Sequence, residues 1–261
     1  MPAKGSRGPW VFPLALTVIG ILLLLNNFLL LGDFNVTALW PLLLVVLGAI
    51  ILLRGDFAPS TEGRTFGITR GSVELATLEI SSGEIDVMIR ALQQEGRLIA
   101  GQFASNARPA LRVNETHTCL KMDRASTPWL SFADWEMGLA HDLPWQILVS
   151  THLGQVNVDL SNLIIQEVGI GTGIGDIRLV APAESLGEIK VRSTLGNIHI
   201  ITPVGYRTRI TVQTSQLFRV HADERRYAEI EPGVFEAYDA EENAPMVEIV
   251  IGGTFGDAYL T

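Results

Sequence analysis

The sequence predicts two unlike parts: an N-terminal two-helix transmembrane hairpin, then an all-β domain wound as a single-stranded β-solenoid with coils of 21 residues. Three observations carry this. Residues 11–53 are almost wholly apolar, a pattern returns at a fixed period between Ile147 and Ala222, and each repeat alternates apolar and polar residues with the period of a strand.

The repeat is gapless. Ile147-Val149-Thr151, Val168-Ile170-Thr172, Ile189-Val191-Ser193 and Ile210-Val212-Thr214 each step by 21 residues. Gly154, Gly175 and Gly196 step with them, followed by the apolar pairs Val156/Val158, Ile177/Leu179 and Ile198/Ile200. Each unit therefore reads as two short strands hinged at a glycine, a residue suited to a sharp corner. Stacking would align the Thr/Ser column so that hydroxyls can hydrogen-bond along it. The fourth unit departs: Leu217 replaces the glycine and the apolar pair falls at Phe218 and Val220, one residue early. A terminal coil tolerates such a slip.

Taken from the start, residues 1–10 form a short polar tail with Lys4 and Arg7. Residues 11–31 carry no charge and, as a helix, span about 31 Å, enough to cross a hydrocarbon core. Residues 36–53 supply a second uncharged run after the Gly32-Asp33-Phe34-Asn35 turn, with Trp10 and Trp40 at interface positions. The hairpin thus occupies 11–54. The first run is too long for a signal-peptide core and lacks a small-x-small cleavage site. Lys4 and Arg7 precede the first span and Arg54, Arg64 and Arg70 follow the second. The positive-inside rule then predicts a multi-pass cell-membrane protein with both termini cytoplasmic.

Residues 55–71, rich in Gly, Ser, Thr and Pro, are expected to be a linker, and residues 72–261 the β domain. Its first unit is Leu78-Ile80, a turn at Gly83, then Ile85, Val87 and Ile89. Strand-like runs follow at 97–104, 111–114 and 118–122. Residues 126–144 are expected to be a loop capping one end, where Trp129, Phe132 and Trp135 plug the solenoid or form a partner patch. Residues 223–245 read as a solvated, charged hairpin. Val247, Ile249 and Ile251, with the turn at 255–258, close the domain.

Composition limits function. A net charge of −9 without a basic stripe gives a nucleic-acid partner no electrostatic basis. A single cysteine, Cys119, excludes an intramolecular disulfide. The run Gly169-Ile170-Gly171-Thr172-Gly173-Ile174-Gly175 fails as a dinucleotide or phosphate loop, because the third glycine is misplaced and no helix or Lys-Ser/Thr pair follows. The five histidines have no metal-ligand spacing, His141-Asp142 has no nucleophile beside it, and Asp159 and Asp176 are read as outward carboxylates of a solvated face. No catalytic residue, cofactor or metal ligand is expected, and Gly83, Gly154, Gly175 and Gly196 are structural turn residues.

The hairpin with Trp40-Pro41-Leu42-Leu43-Leu44 opening its second span, followed by a β-solenoid, resembles the LiaF-like bacterial cell-envelope stress-response proteins. Residues 145–147 (WQI), 158–163 (VDLSNL) and 171–177 (GTGIGDI) resemble the toastrack, or adhesin-type, domain of that group. Two spans instead of the four of some relatives is a departure. The resemblance implies a non-enzymatic regulator in the lipid bilayer beside a membrane sensor histidine kinase, with a homo-oligomer as a further possible partner. The rival classes are a self-assembling scaffold at the membrane, or, with an external C-terminus, an envelope adhesin or carbohydrate-binding domain.

Overall fold

The computed structural model describes residues 63–104, 109–114, 116–123, 134–213, 215–238 and 243–261, all within one compact unit. Both expected membrane spans, residues 11–31 and 36–53, lie outside the described residues, as do Trp129 and Phe132. The described part is all-β.

Eighteen strands follow one another among the described residues. They begin with β1 (Gly63–Thr69), β2 (Leu75–Gly83), β3 (Val87–Ala91), β4 (Arg97–Ala104), β5 (Ala110–Asn114), β6 (His117–Asp123) and β7 (Trp135–Leu139). The repeat region gives β8 (Pro144–Leu153), β9 (Val156–Asp159), β10 (Ile164–Ile174), β11 (Ile177–Val180), β12 (Ile189–Leu195), β13 (Ile198–Ile201), β14 (Arg207–Gln213) and β15 (Phe218–Ala222). A hairpin of β16 (Tyr227–Glu231) and β17 (Val234–Ala237) precedes the long β18 (Met246–Leu260).

Each coil sends one strand to each of two facing sheets and bends between them at a corner. Sheet A runs β1-β4-β7-β3-β9-β11-β13-β18-β15. Sheet B runs β5-β6-β2-β8-β10-β12-β18-β14-β17-β16. The 21-residue step is the parallel register itself: Val168 pairs with Ile147 on one side and Ile189 on the other. Alternation then points Ile147, Val149, Val168, Ile170, Ile189 and Val191 inward from sheet B, against Val156, Val158, Ile177, Leu179, Ile198 and Ile200 from sheet A, and all twelve are buried.

The order of coils departs from the order of sequence at both ends. The fourth repeat does not stack on the third: β18 lies between them, pairing with β12 and β13 on one side and with β14 and β15 on the other. Ile249 thus occupies the level between Ile189 and Ile210. The expected closing turn at 255–258 is a bend within this one 15-residue strand. At the other end β2 and β3 lie between the coil of β6 and β7 and that of β8 and β9. The fourth repeat is still a terminal coil, as its register slip suggests. Its sheet B edge is covered by the antiparallel β17 and β16, so the charged 223–245 stretch does contain the expected hairpin.

Two expectations along the chain need correction. Gly63–Thr69, placed in the linker, is a strand antiparallel to β4, because Phe66 and Ile68 pack against the core and Phe66 meets Phe103 edge-on. Within 126–144, only part can be a loop: Trp135–Leu139 forms β7 inside sheet A, and Pro144 opens β8. Trp135 is fully buried, since its position alternates inward with Met137 and Leu139.

Candidate functional site

The corner joining sheet B to sheet A is where the repeat is most regular. Gly154, Gly175, Gly196 and Gly256 stack there at φ of 147°, 146°, 148° and 128°, a region that side chains rarely enter. They also touch. A Cβ on Gly175 would lie 2.0 Å from the Gly154 carbonyl oxygen, one on Gly196 2.1 Å from that of Gly175, and one on Gly256 2.2 Å from that of Gly196. Gly83 is different. Its φ of +66° makes a local turn, but β2 carries an irregularity between Ser81 and Gly83, and Gly83 pairs with Thr151, below the corner. Ile85, whose carbonyl oxygen would lie 3.1 Å from a Cβ on Gly154, holds the corner level of that coil.

Polar ladders flank the corner. The Thr151 hydroxyl donates to Thr172 Oγ1 at 2.9 Å, as the aligned column predicts, whereas Ser193 donates to the Gly175 carbonyl at 3.3 Å. In the inserted coil the level of Ser193 belongs to Gly253, where a Cβ would enter the Phe218 ring at 2.2 Å. On the other side, Asp86 Oδ1 accepts the Gln155 N–H at 2.6 Å, Asp176 Oδ1 that of Asn197 at 2.7 Å, and Asn197 Oδ1 that of Asp257 at 3.0 Å. Asp176 therefore serves the stack. Asp159 likewise accepts from the Ser161 N–H and hydroxyl.

Between these ladders runs a column of exposed apolar side chains. The residue ahead of each corner is Leu153, Ile174, Leu195 and Phe255, paired in that order across neighbouring strands. Leu217 comes next, its carbonyl accepting the Gly256 N–H at 3.1 Å as the Leu195 carbonyl accepts that of Gly175 at 2.9 Å. Their relative exposures are 48%, 48%, 49%, 46% and 59%. Five successive coils thus present one half-exposed large apolar residue each. At about 4.8 Å per coil the ridge is about 19 Å long.

The sequence does not single out this ridge, and the reason is geometric. Ile174 has the parity of the buried Val168, Ile170 and Thr172. Alternation therefore assigns it to the interior, but the chain bends between Ile174 and Gly175 and turns the side chain out. The available signal is an apolar residue immediately ahead of every corner.

Elsewhere the outer face of sheet A carries a rung of rings. His199 stacks on Tyr259 with centroids 4.8 Å apart, and His221 stacks on Tyr259 at 5.2 Å while its Nε2 lies 3.2 Å from Asp257 Oδ1. His199 is outward, as its alternation implies. Arg90 is held by Glu136 at 2.5 Å and Lys121 by Glu79 at 2.6 Å, the hydrogen bond to Glu79 raising the Lys121 pKa. Burial, and then the neighbouring Asp86, raise the pKa of Asp134. Asp142 of the His141-Asp142 pair is tied to Arg70. Among the described residues no three His, Cys, Asp or Glu side chains gather as a metal would require.

Two stacked sheets joined by glycine corners define an all-β protein of the solenoid class. The chain belongs to the family described as the N-terminal domain of toast_rack (DUF2154), whose profile matches residues 58–201. Among solved structures it is similar to a candidate cell adhesion protein from Clostridium sporogenes ATCC 15579, with 15% identity, 76% of this chain and 98% of that chain covered, and a TM-score of 0.65. A candidate adhesin from Bacteroides fragilis NCTC 9343 is 10% identical over 78% of this chain and 99% of that one, with a TM-score of 0.24. At 15% identity the likeness to the Clostridium protein is one of fold. No curated protein gives a significant sequence match.

Proposed function

We propose that this chain is a membrane-anchored, non-enzymatic interaction protein of the bacterial cell envelope that restrains a membrane sensor kinase of the stress response. The observation that carries this is the filled interior. Inward positions from Leu78 to Leu260 are closed by Ile, Val, Leu and aromatic side chains, so recognition falls to the outer faces and the corner. The toastrack domain and the two apolar runs of residues 11–53 support the membrane-proximal role. The stack supplies a rigid surface, and the apolar runs hold it at the bilayer.

The test uses the full chain in cells. A reporter fused after Thr261 is expected to read cytoplasmic, and removing the protein is expected to raise the output of a kinase-dependent envelope-stress reporter without stress. An extracytoplasmic readout would overturn the topology and favour an adhesin or carbohydrate-binding domain. An unchanged stress reporter would leave the self-assembling scaffold as the better reading.

A further inference from the structure

We infer that the apolar ridge of Leu153, Ile174, Leu195, Phe255 and Leu217 is the docking face for a second copy of this chain. The two copies lie side by side about a two-fold axis parallel to the stack. The inference goes beyond the proposed kinase role, and it rests on the membrane anchoring of that reading but not on the kinase.

Three observations select this occupant. The first is periodicity. The rungs are spaced by the coil repeat itself, since Ile174 pairs with both Leu153 and Leu195, and Leu195 with Phe255. A second ridge matches that spacing at every level. The second is polarity. One flank of the ridge bears Gln155, Asp176, Asn197, Asp257 and Arg219, and the other His152, Gly173, Thr194 and Thr254. A two-fold axis along the stack sets the first flank against the second, so Asn197 faces a threonine donor at the level of Thr194 and Asp257 one at the level of Thr254. An antiparallel pairing would instead bring Asp176 and Asp257 of the two copies together. The same acidic flank, on a chain of net charge −9, disfavours an anionic lipid surface as the occupant. The third is area. Five half-exposed large side chains offer roughly 400 Å² of apolar surface, at the size where a monomer's patch is functional but below the ~800 Å² per partner of a stable complex. The contact is therefore weak in dilute solution. It becomes populated where tethering raises the effective concentration, and the two-fold axis leaves both Gly63 residues at one end of the pair, as two chains anchored in one membrane require.

The experiment is cysteine cross-linking of the full chain reconstituted in lipid vesicles, on a Cys119→Ser background. Leu153→Cys, Leu195→Cys and Leu217→Cys are each expected to form disulfide-linked dimers with themselves, and Val113→Cys, exposed on the far β5 edge, is not. Leu195→Glu is expected to weaken the dimer by roughly tenfold or more, because it buries a charge in the contact, while the thermal midpoint stays where it was. Association driven by apolar contact between acidic copies rises with salt. Dimer yield at Leu195→Cys no greater than at Val113→Cys overturns the inference. So does mixed cross-linking of Leu153→Cys with Leu217→Cys where neither links to itself, which means an antiparallel pair. A polarity-sensitive dye at Leu195→Cys that reports entry into lipid instead of protein contact overturns it as well. None of these readouts involves the kinase, so this inference and the proposed function fail separately.

Discussion

At the residue scale, two glycines of one strand and its corner have opposite meanings. Gly175 sits at φ 146° with the Gly154 carbonyl where a Cβ would go, whereas a Cβ on Gly171 would meet nothing closer than the Val149 carbonyl at 4.0 Å. Gly175→Ala is therefore expected to cost more than about 3 kcal/mol, from backbone strain plus overlap with a backbone that cannot yield. Gly171→Ala is expected to be neutral or to gain up to about 1 kcal/mol by restricting the unfolded chain. Thermal or denaturant unfolding of the two variants distinguishes them; similar losses at both sites would contradict the corner geometry. Sequence spacing alone finds Gly154, Gly175 and Gly196. Gly83 is a turn glycine as expected but lies off the stacked corner, because of an irregularity in β2, and Gly256, read as part of a closing turn, is a corner of a coil outside the 21-residue series. Trp135 is likewise hidden: within 126–144 it reads as part of a capping loop, and only pairing with Val87 shows it as a strand residue of the core.

At the scale of elements, β18 is the strand on which the C-terminal third depends. It crosses both sheets and separates the third repeat from the fourth, with Val247, Ile249, Ile251, Ala258 and Leu260 all buried. Removing residues 246–261 would uncouple β14 and β15 from the stack and expose the edges of β12 and β13. The shortened chain is expected to lose cooperative unfolding and to aggregate through those edges, and a synthetic peptide of residues 246–261 added during refolding is expected to restore the monomeric fold. Circular dichroism and light scattering read both effects, and a shortened chain that unfolds as sharply as the full one would argue against the pairing. The period identifies strands and inward faces here with fidelity, because local alternation encodes them. It cannot encode insertion, since the match between Ile249 and its neighbours Ile189 and Ile210 is made across 60 and 39 residues and leaves no local trace.

For the described stack as a whole, parallel pairing on both sides protects the middle coils, whereas β1, β5 and β16 each rest on a single antiparallel neighbour. Amides of β8 to β13 are expected to exchange slowest and those of β1, β5 and β16 fastest. Hydrogen exchange followed by mass spectrometry measures the gradient, and uniform protection along the stack would mean that the end hairpins are as firmly held as the centre. The buried cluster in which the Tyr227 hydroxyl donates to Thr202 Oγ1 at 2.7 Å, and Thr202 meets Thr208 at 2.9 Å, ties the hairpin to the segment after β13 and through it to β14, so protection at Tyr227 should exceed that of the rest of β16. The all-β architecture is legible from the sequence because each coil repeats its own pattern. The exposed ridge is not, because it arises only when the corners are superposed in three dimensions.

The interleaving of β18 also bears on how the chain is made. Ribosomes release residues in order, yet the level between the third and fourth repeats is filled by the last of the described strands. The fourth repeat is synthesised before the strand that joins it to the third, so until residues 246–261 arrive β14 has only the β17 hairpin strand to pair with. The described stack is therefore completed only after residues 246–261 have left the ribosome, so a nascent chain short of them carries an apolar gap for chaperones and proteases to recognise.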